Sequence, residues 1–86
     1  MKMFFVNSSK QYKKLIESDY IEDLYDVIED FFDEHKHRPH LLRFVSEGSE
    51  CKISFESGCE GFEIEDVSAS DVMELKKLLD GDLYEY

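Results

Sequence analysis

Residues 41–66 read LLRFVSEGSECKISFESGCEGFEIED, and their period of two decides the fold. Cys51, Ile53 and Phe55 alternate with Lys52, Ser54 and Glu56, and Phe62 and Ile64 alternate with Glu63 and Glu65. Alternation of this kind sends apolar side chains to one face of a strand and polar ones to the other. The spacing predicts strands over 41–46, 51–56 and 61–66. Their connections are the turn-rich runs Glu47-Gly48-Ser49-Glu50 and Ser57-Gly58-Cys59-Glu60. The expected product is an antiparallel meander with one buried and one solvated face.

Upstream, the single proline, Pro39, marks the change of period. Before it, Ile21, Leu24, Ile28, Phe31, Phe32 and His35 recur at three- and four-residue steps, which predicts a helix over 20–35. Asp19 followed by Glu22 fits a capping box at its start. Ser8 followed by Gln11 fits another, which predicts a short helix over 9–17 with Tyr12, Leu15 and Ile16 inward. Residues 2–6, Lys-Met-Phe-Phe-Val, suit either a short strand or an apolar arm. Downstream, Ser68 and Asp71 fit a third capping box. A last helix over 69–80 follows, burying Val72, Leu75, Leu78 and Leu79 and ending at Gly81.

The fold class read from these elements is α+β, in the order (β)-α-α-β-β-β-α. A three-stranded antiparallel sheet, extended by residues 2–6 if they are a strand, is packed on one face by three helices. At 86 residues the chain has room for one domain, 1–86. No run approaches the ~18 apolar residues of a membrane span, and the apolar start is too short for a signal peptide core. The expected compartment is the cytoplasm, where Cys51 and Cys59 are free thiols.

Charge carries the most functional information. The formal net charge is −11, from 10 Lys+Arg against 21 Asp+Glu. Such a chain repels nucleic acid and anionic membranes and is drawn to basic proteins. Residues 20–35 hold seven acids and no Lys or Arg. On a helix Glu22, Asp26, Glu29 and Asp33 fall within an arc of about 60°, flanked by Asp23 and Asp30. The i,i+4 pairs Glu22/Asp26, Asp26/Asp30, Glu29/Asp33 and Asp30/Glu34 are all like-charged, which costs the helix on the order of 1 kcal/mol. A solubilising face is one account of this row. The other is a docking face for a basic groove, because carboxylates one turn apart stand about 5–6 Å from each other, close to the spacing of phosphates along a nucleic-acid strand. Tyr25, at the border of the acidic and apolar arcs, is a candidate anchor. Glu56, Glu63 and Glu65 form a second acidic candidate on the sheet. The first 14 residues, by contrast, hold four Lys and no acid.

Other chemistries lack their signatures. His35, His37 and His40 lie close in sequence, but nothing supplies the converging ligands that zinc requires. Cys59 has an anionic neighbour, Glu60, which opposes thiolate formation. An exposed carboxylate row offers no cleft with two distinct environments for acid–base work. There is no phosphate loop, nucleophile elbow or calcium loop. The expectation is no enzyme, no cofactor, no metal and no catalytic residue.

In size, acidity and mixed element order the whole chain resembles the small inhibitors that phages encode against bacterial defences, the anti-CRISPR and DNA-mimic proteins. The resemblance lies in composition and size, and no motif carries a residue across. It implies a stoichiometric inhibitor in the host cytoplasm. Its partner would be a basic protein surface, on a nucleic-acid-binding protein or nuclease, with no direct contact to nucleic acid or membrane. The partner-binding residues would be Glu22, Tyr25, Asp26, Glu29, Asp30 and Asp33, with Glu56, Glu63 and Glu65. The alternative is an immunity or antitoxin-like partner, or a small assembly subunit. It would use apolar and aromatic contacts, with Phe4, Phe5, Tyr84 and Tyr86 as candidates.

Overall fold

The computed structural model describes residues 1–35, 41–55 and 60–83. Its first two elements are strands, β1 (Lys2–Val6) and β2 (Tyr12–Glu17), joined in an antiparallel hairpin. Asn7 makes the turn. Its side-chain Oδ1 accepts from the amides of Ser9 (2.9 Å) and Gln11 (3.0 Å), and its carbonyl accepts from Lys10 N–H at 2.9 Å. Lys10 takes φ +64°, the left-handed position that completes a three-residue hairpin loop.

This overturns the helix expected over 9–17. Ser8 and Gln11 do not cap a helix; Gln11 closes the hairpin. The run Tyr-Lys-Lys-Leu-Ile-Glu fits helical spacing, but so short a segment cannot repay helix nucleation in isolation. Pairing with Phe4, Phe5 and Val6 satisfies its backbone instead. A register shift between Met3 and Phe4 lets Leu15 bulge out of the ladder.

After β2 come α1 (Ile21–His35), β3 (Leu42–Glu47), β4 (Glu50–Phe55), β5 (Gly61–Glu65) and α2 (Ala69–Leu83). The five strands form one antiparallel sheet in the order β2-β1-β5-β4-β3. The class is α+β as expected, but the expected three-stranded sheet with three helices is corrected to five strands and two helices. The expected meander is present as β3–β5, and β1 joins it along β5. The turn between β3 and β4 is tighter than expected, with Gly48 at φ +61° leading a two-residue loop between Glu47 and Glu50. The last helix runs through Gly81 to Leu83 rather than ending there. The Ser68 cap is present, its Oγ accepting from Asp71 N–H at 3.1 Å.

Register aligns the apolar residues in rows across the sheet. One row is Ile16, Met3, Ile64, Cys51 and another is Phe5, Phe62, Ile53, Phe44. Both helices cover this face. Leu24, Ile28 and Phe32 of α1, and Leu75 and Leu79 of α2, join Met3, Phe62, Ile64, Cys51 and Ile53 in one buried cluster. Phe5, Phe31, Phe32, Phe55 and Phe62 interlock there, with ring centroids 4.6–6.4 Å apart. Of these, Phe32, Phe55 and Phe62 are buried, and a fully buried side chain of this size contributes roughly 1.5–3 kcal/mol. Gly61 is required by close approach, since a Cβ there would stand 2.2 Å from the carbonyl oxygen of Ile53.

Among the described residues no helix covers the other face of the sheet, which carries mixed charge. One row reads Lys14, Phe4, Glu63, Lys52, Val45; another places Lys2 between Glu17 and Glu65. Lys2, the one charged residue of β1, thus lies between two acidic positions. Lys14 also pairs with Glu17 at 2.7 Å, and that hydrogen bond holds the Glu17 carboxyl below its ordinary range.

Candidate functional site

The acidic row lies on α1, whose start is set by Ser18. The Ser18 Oγ accepts from Tyr20 N–H at 3.1 Å and donates to Asp23 Oδ2 at 2.5 Å, so Ser18 rather than Asp19 makes the side-chain contacts at this end. Ile21, Leu24, Ile28 and Phe32 are buried beneath the helix. Glu22, Asp26, Asp30 and Asp33 are exposed above it, and Glu29 is half-buried. Asp23 and Glu34 are exposed as well. The outer surface of α1 is therefore a carboxylate surface along its whole length, with no lysine or arginine on the helix.

Tyr25 is half-buried and packs against the core cluster. Its hydroxyl donates to Glu29 Oε1 at 3.1 Å, which orients that carboxylate one turn along. His35, expected in the apolar stripe, is exposed. Its ring stacks on Phe31 at 4.0 Å and its Nδ1 lies 2.9 Å from the Phe31 carbonyl oxygen, a helix-ending contact.

The sheet candidates do not join this row. Phe62 and Ile64 of β5 turn toward the helices, so Glu63 and Glu65 point from the opposite face. Glu63 is half-buried and accepts from the Tyr12 hydroxyl at 2.5 Å. That bond is the main reason the Tyr12 phenol ionises above its ordinary range. Glu65 is exposed beside Lys2. Glu56 lies outside the described residues. The aromatic candidates divide too: Phe5 packs on Phe31 at 4.6 Å, Phe4 meets Tyr12 edge-on at 6.2 Å, and Tyr84 and Tyr86 lie outside the described residues.

One feature beside the acidic row has no signal in the sequence. A groove of about 700 Å³ runs between the second half of α1 and the β1–β2 hairpin. Phe5, Leu15, Val27 and Phe31 give it apolar walls, with Asp30 and Glu34 on the helix rim and Lys13 on the strand rim. Its walls come from β1, β2 and α1 together, so it depends on residues 12–17 being a strand beside α1.

Cys51 is free and buried, and burial pushes its thiol up, which is the reverse of what a nucleophile needs. Among the described residues no cluster of His, Cys, Asp and Glu is arranged to hold a metal ion. No helix among them is long and apolar enough to cross a membrane. His37, His40 and Cys59 lie outside the described residues. No protein-family model, curated protein or solved structure matches the chain.

Proposed function

We propose that the chain is a stoichiometric protein-binding inhibitor whose α1 outer face occupies a Lys/Arg-lined groove that otherwise holds nucleic acid. The observation that carries this reading is the exposed carboxylate surface of α1, uninterrupted by any lysine or arginine on the helix. Repulsion among its i,i+4 neighbours works against the helix, so folding gives no reason for the arrangement. A basic groove gives one, because it neutralises the repulsion on binding. The apolar groove beside Asp30 supplies a seat for a side chain of the partner next to the charged contact. Glu63 and Glu65 have no part in this surface, since they face the other way.

The test is affinity capture from lysate of the source cell, or of its host if the chain is phage-encoded, across a salt series. The expected catch is a nucleic-acid-binding protein, held at low salt and displaced by added salt or DNA. The triple variant Asp26→Lys/Glu29→Lys/Asp33→Lys should lose it by at least about 100-fold in affinity while keeping its circular dichroism spectrum. A triple variant that still holds the same partner would remove α1 from the interface and end this reading.

A further inference from the structure

The groove between α1 and the β1–β2 hairpin gathers groups that the fold leaves unused. Phe5, Leu15, Val27 and Phe31 are each half-buried, packed against the core on one side and bordering the groove on the other. Asp30 and Glu34 on the helix rim and Lys13 on the strand rim are exposed and border the same space. None of these three takes part in an ion pair among the described residues. At about 700 Å³ the space is of the size that ligand sites have, and its apolar walls with a few charged groups at the rim match their composition.

We propose that the groove seats an arginine of a partner protein together with an apolar residue beside it. Charge selects the cation. The rims carry two carboxylates against one ammonium, and the acidic surface of α1 continues into the groove through Asp30. The spacing of the carboxylates selects arginine over lysine. Asp30 and Glu34 are one turn apart on α1, about 5–6 Å between their Cβ atoms. A planar guanidinium has donors on more than one side and can bond to both carboxylates at once, whereas an ammonium is a point charge. The aliphatic stem of the arginine lies along Val27 and Phe31, as long cationic side chains do on apolar surface. Phe5 and Leu15 receive the neighbouring apolar side chain. Lys13 sets the other limit, because a second cation at the strand rim would meet like charge.

The groove thereby deepens the proposed function, on whose basic partner it rests. The carboxylate row alone makes a contact that salt screens and that any basic groove can satisfy. The groove adds apolar burial and a directional contact, which select one basic surface among many.

Heteronuclear NMR titration of the whole chain with blocked dipeptides tests the proposal without a captured partner. N-acetyl-leucyl-arginine amide should bind with a Kd on the order of 1 mM and shift the amides of residues 13–15 and 27–35. The leucyl-lysine and glycyl-arginine amides should bind several-fold more weakly, and the leucyl-glutamate amide at least about tenfold more weakly. The double variant Asp30→Asn/Glu34→Gln alters two exposed positions and should keep the wild-type spectrum elsewhere. It should bring the arginine and lysine peptides to one equal, weaker affinity. No saturable shift, shifts that map elsewhere, equal binding of the glutamate peptide or a double variant that still prefers arginine would each overturn the proposal. So would a dimer in sedimentation velocity that the double variant dissociates, since a second copy would then occupy the groove. The two readings fail separately. Peptide binding here without capture of a nucleic-acid-binding protein keeps the groove and ends the inhibitor reading. Capture without peptide binding removes the groove alone.

Discussion

The outer face of α1 and the helix-free face of the sheet are both polar, yet they follow opposite charge rules. On the sheet, most charged cross-strand neighbours of that face differ in sign, since Lys2 lies between Glu17 and Glu65 and Lys52 lies opposite Glu63, with Glu47 opposite Glu50 the like-charged exception at the hairpin end. On α1, Glu22, Asp26, Asp30 and Asp33 repeat one sign at the spacing where repulsion acts. The sheet's pattern is what stability favours at exposed cross-strand sites. The helix's pattern is what stability disfavours. The contrast separates charge that serves the fold from charge that the fold merely carries, and it directs the functional reading to α1.

Substitutions can break or sharpen that contrast. The largest effect should come where the sheet has no slack. Gly61→Ala places a methyl group 2.2 Å from the Ile53 carbonyl oxygen, a backbone atom that cannot swing away. The expected loss is about 3 kcal/mol, read as a lower urea midpoint. An unchanged midpoint would mean that β4 and β5 separate freely at that point.

Lys52→Glu should cost about 1 kcal/mol, because it sets two carboxylates opposite each other at Glu63. Asp26→Lys should do the reverse and raise stability by about 0.5 kcal/mol, since repulsion with Glu22 and Asp30 becomes attraction. Thermal unfolding of the two variants side by side tests the charge contrast. Shifts of the same sign would show that the two faces obey one rule.

The smallest effect concerns Tyr12. Its hydrogen bond to Glu63 raises the phenol's ionisation above that of an unfolded tyrosine. The stability tied to this bond is fully present below pH about 10 and is lost as pH rises through the raised folded value. Glu63→Gln should move the phenolate absorbance titration of Tyr12 back toward lower pH. No movement would place the cause elsewhere than at Glu63.

The helix α1 was legible because its evidence is local. Ile21, Leu24, Ile28 and Phe32 recur at its period, and the acids follow the same period on the other side. The meander was legible for a similar reason, since Cys51, Ile53, Phe55, Phe62 and Ile64 alternate strictly. Residues 12–17 misled because Tyr12, Leu15 and Ile16 also satisfy helical spacing. Nothing within that run shows that Phe4, Phe5 and Val6 lie alongside it. The acidic row on α1 could be read from spacing alone, whereas the groove beside it could not, because its walls come from β1, β2 and α1 together.

The sequence by itself determined the α1 surface, the α+β class and the alternating strands β4 and β5, because each is written in the spacing of neighbouring residues. Only the tertiary structure decided that residues 12–17 are a strand, that β1 lies between β2 and β5, and that Glu63 and Glu65 face away from the α1 carboxylates. The physical reason is where hydrogen bonds close. A helix satisfies its backbone within its own turns, while a strand depends on a partner that the local sequence does not name.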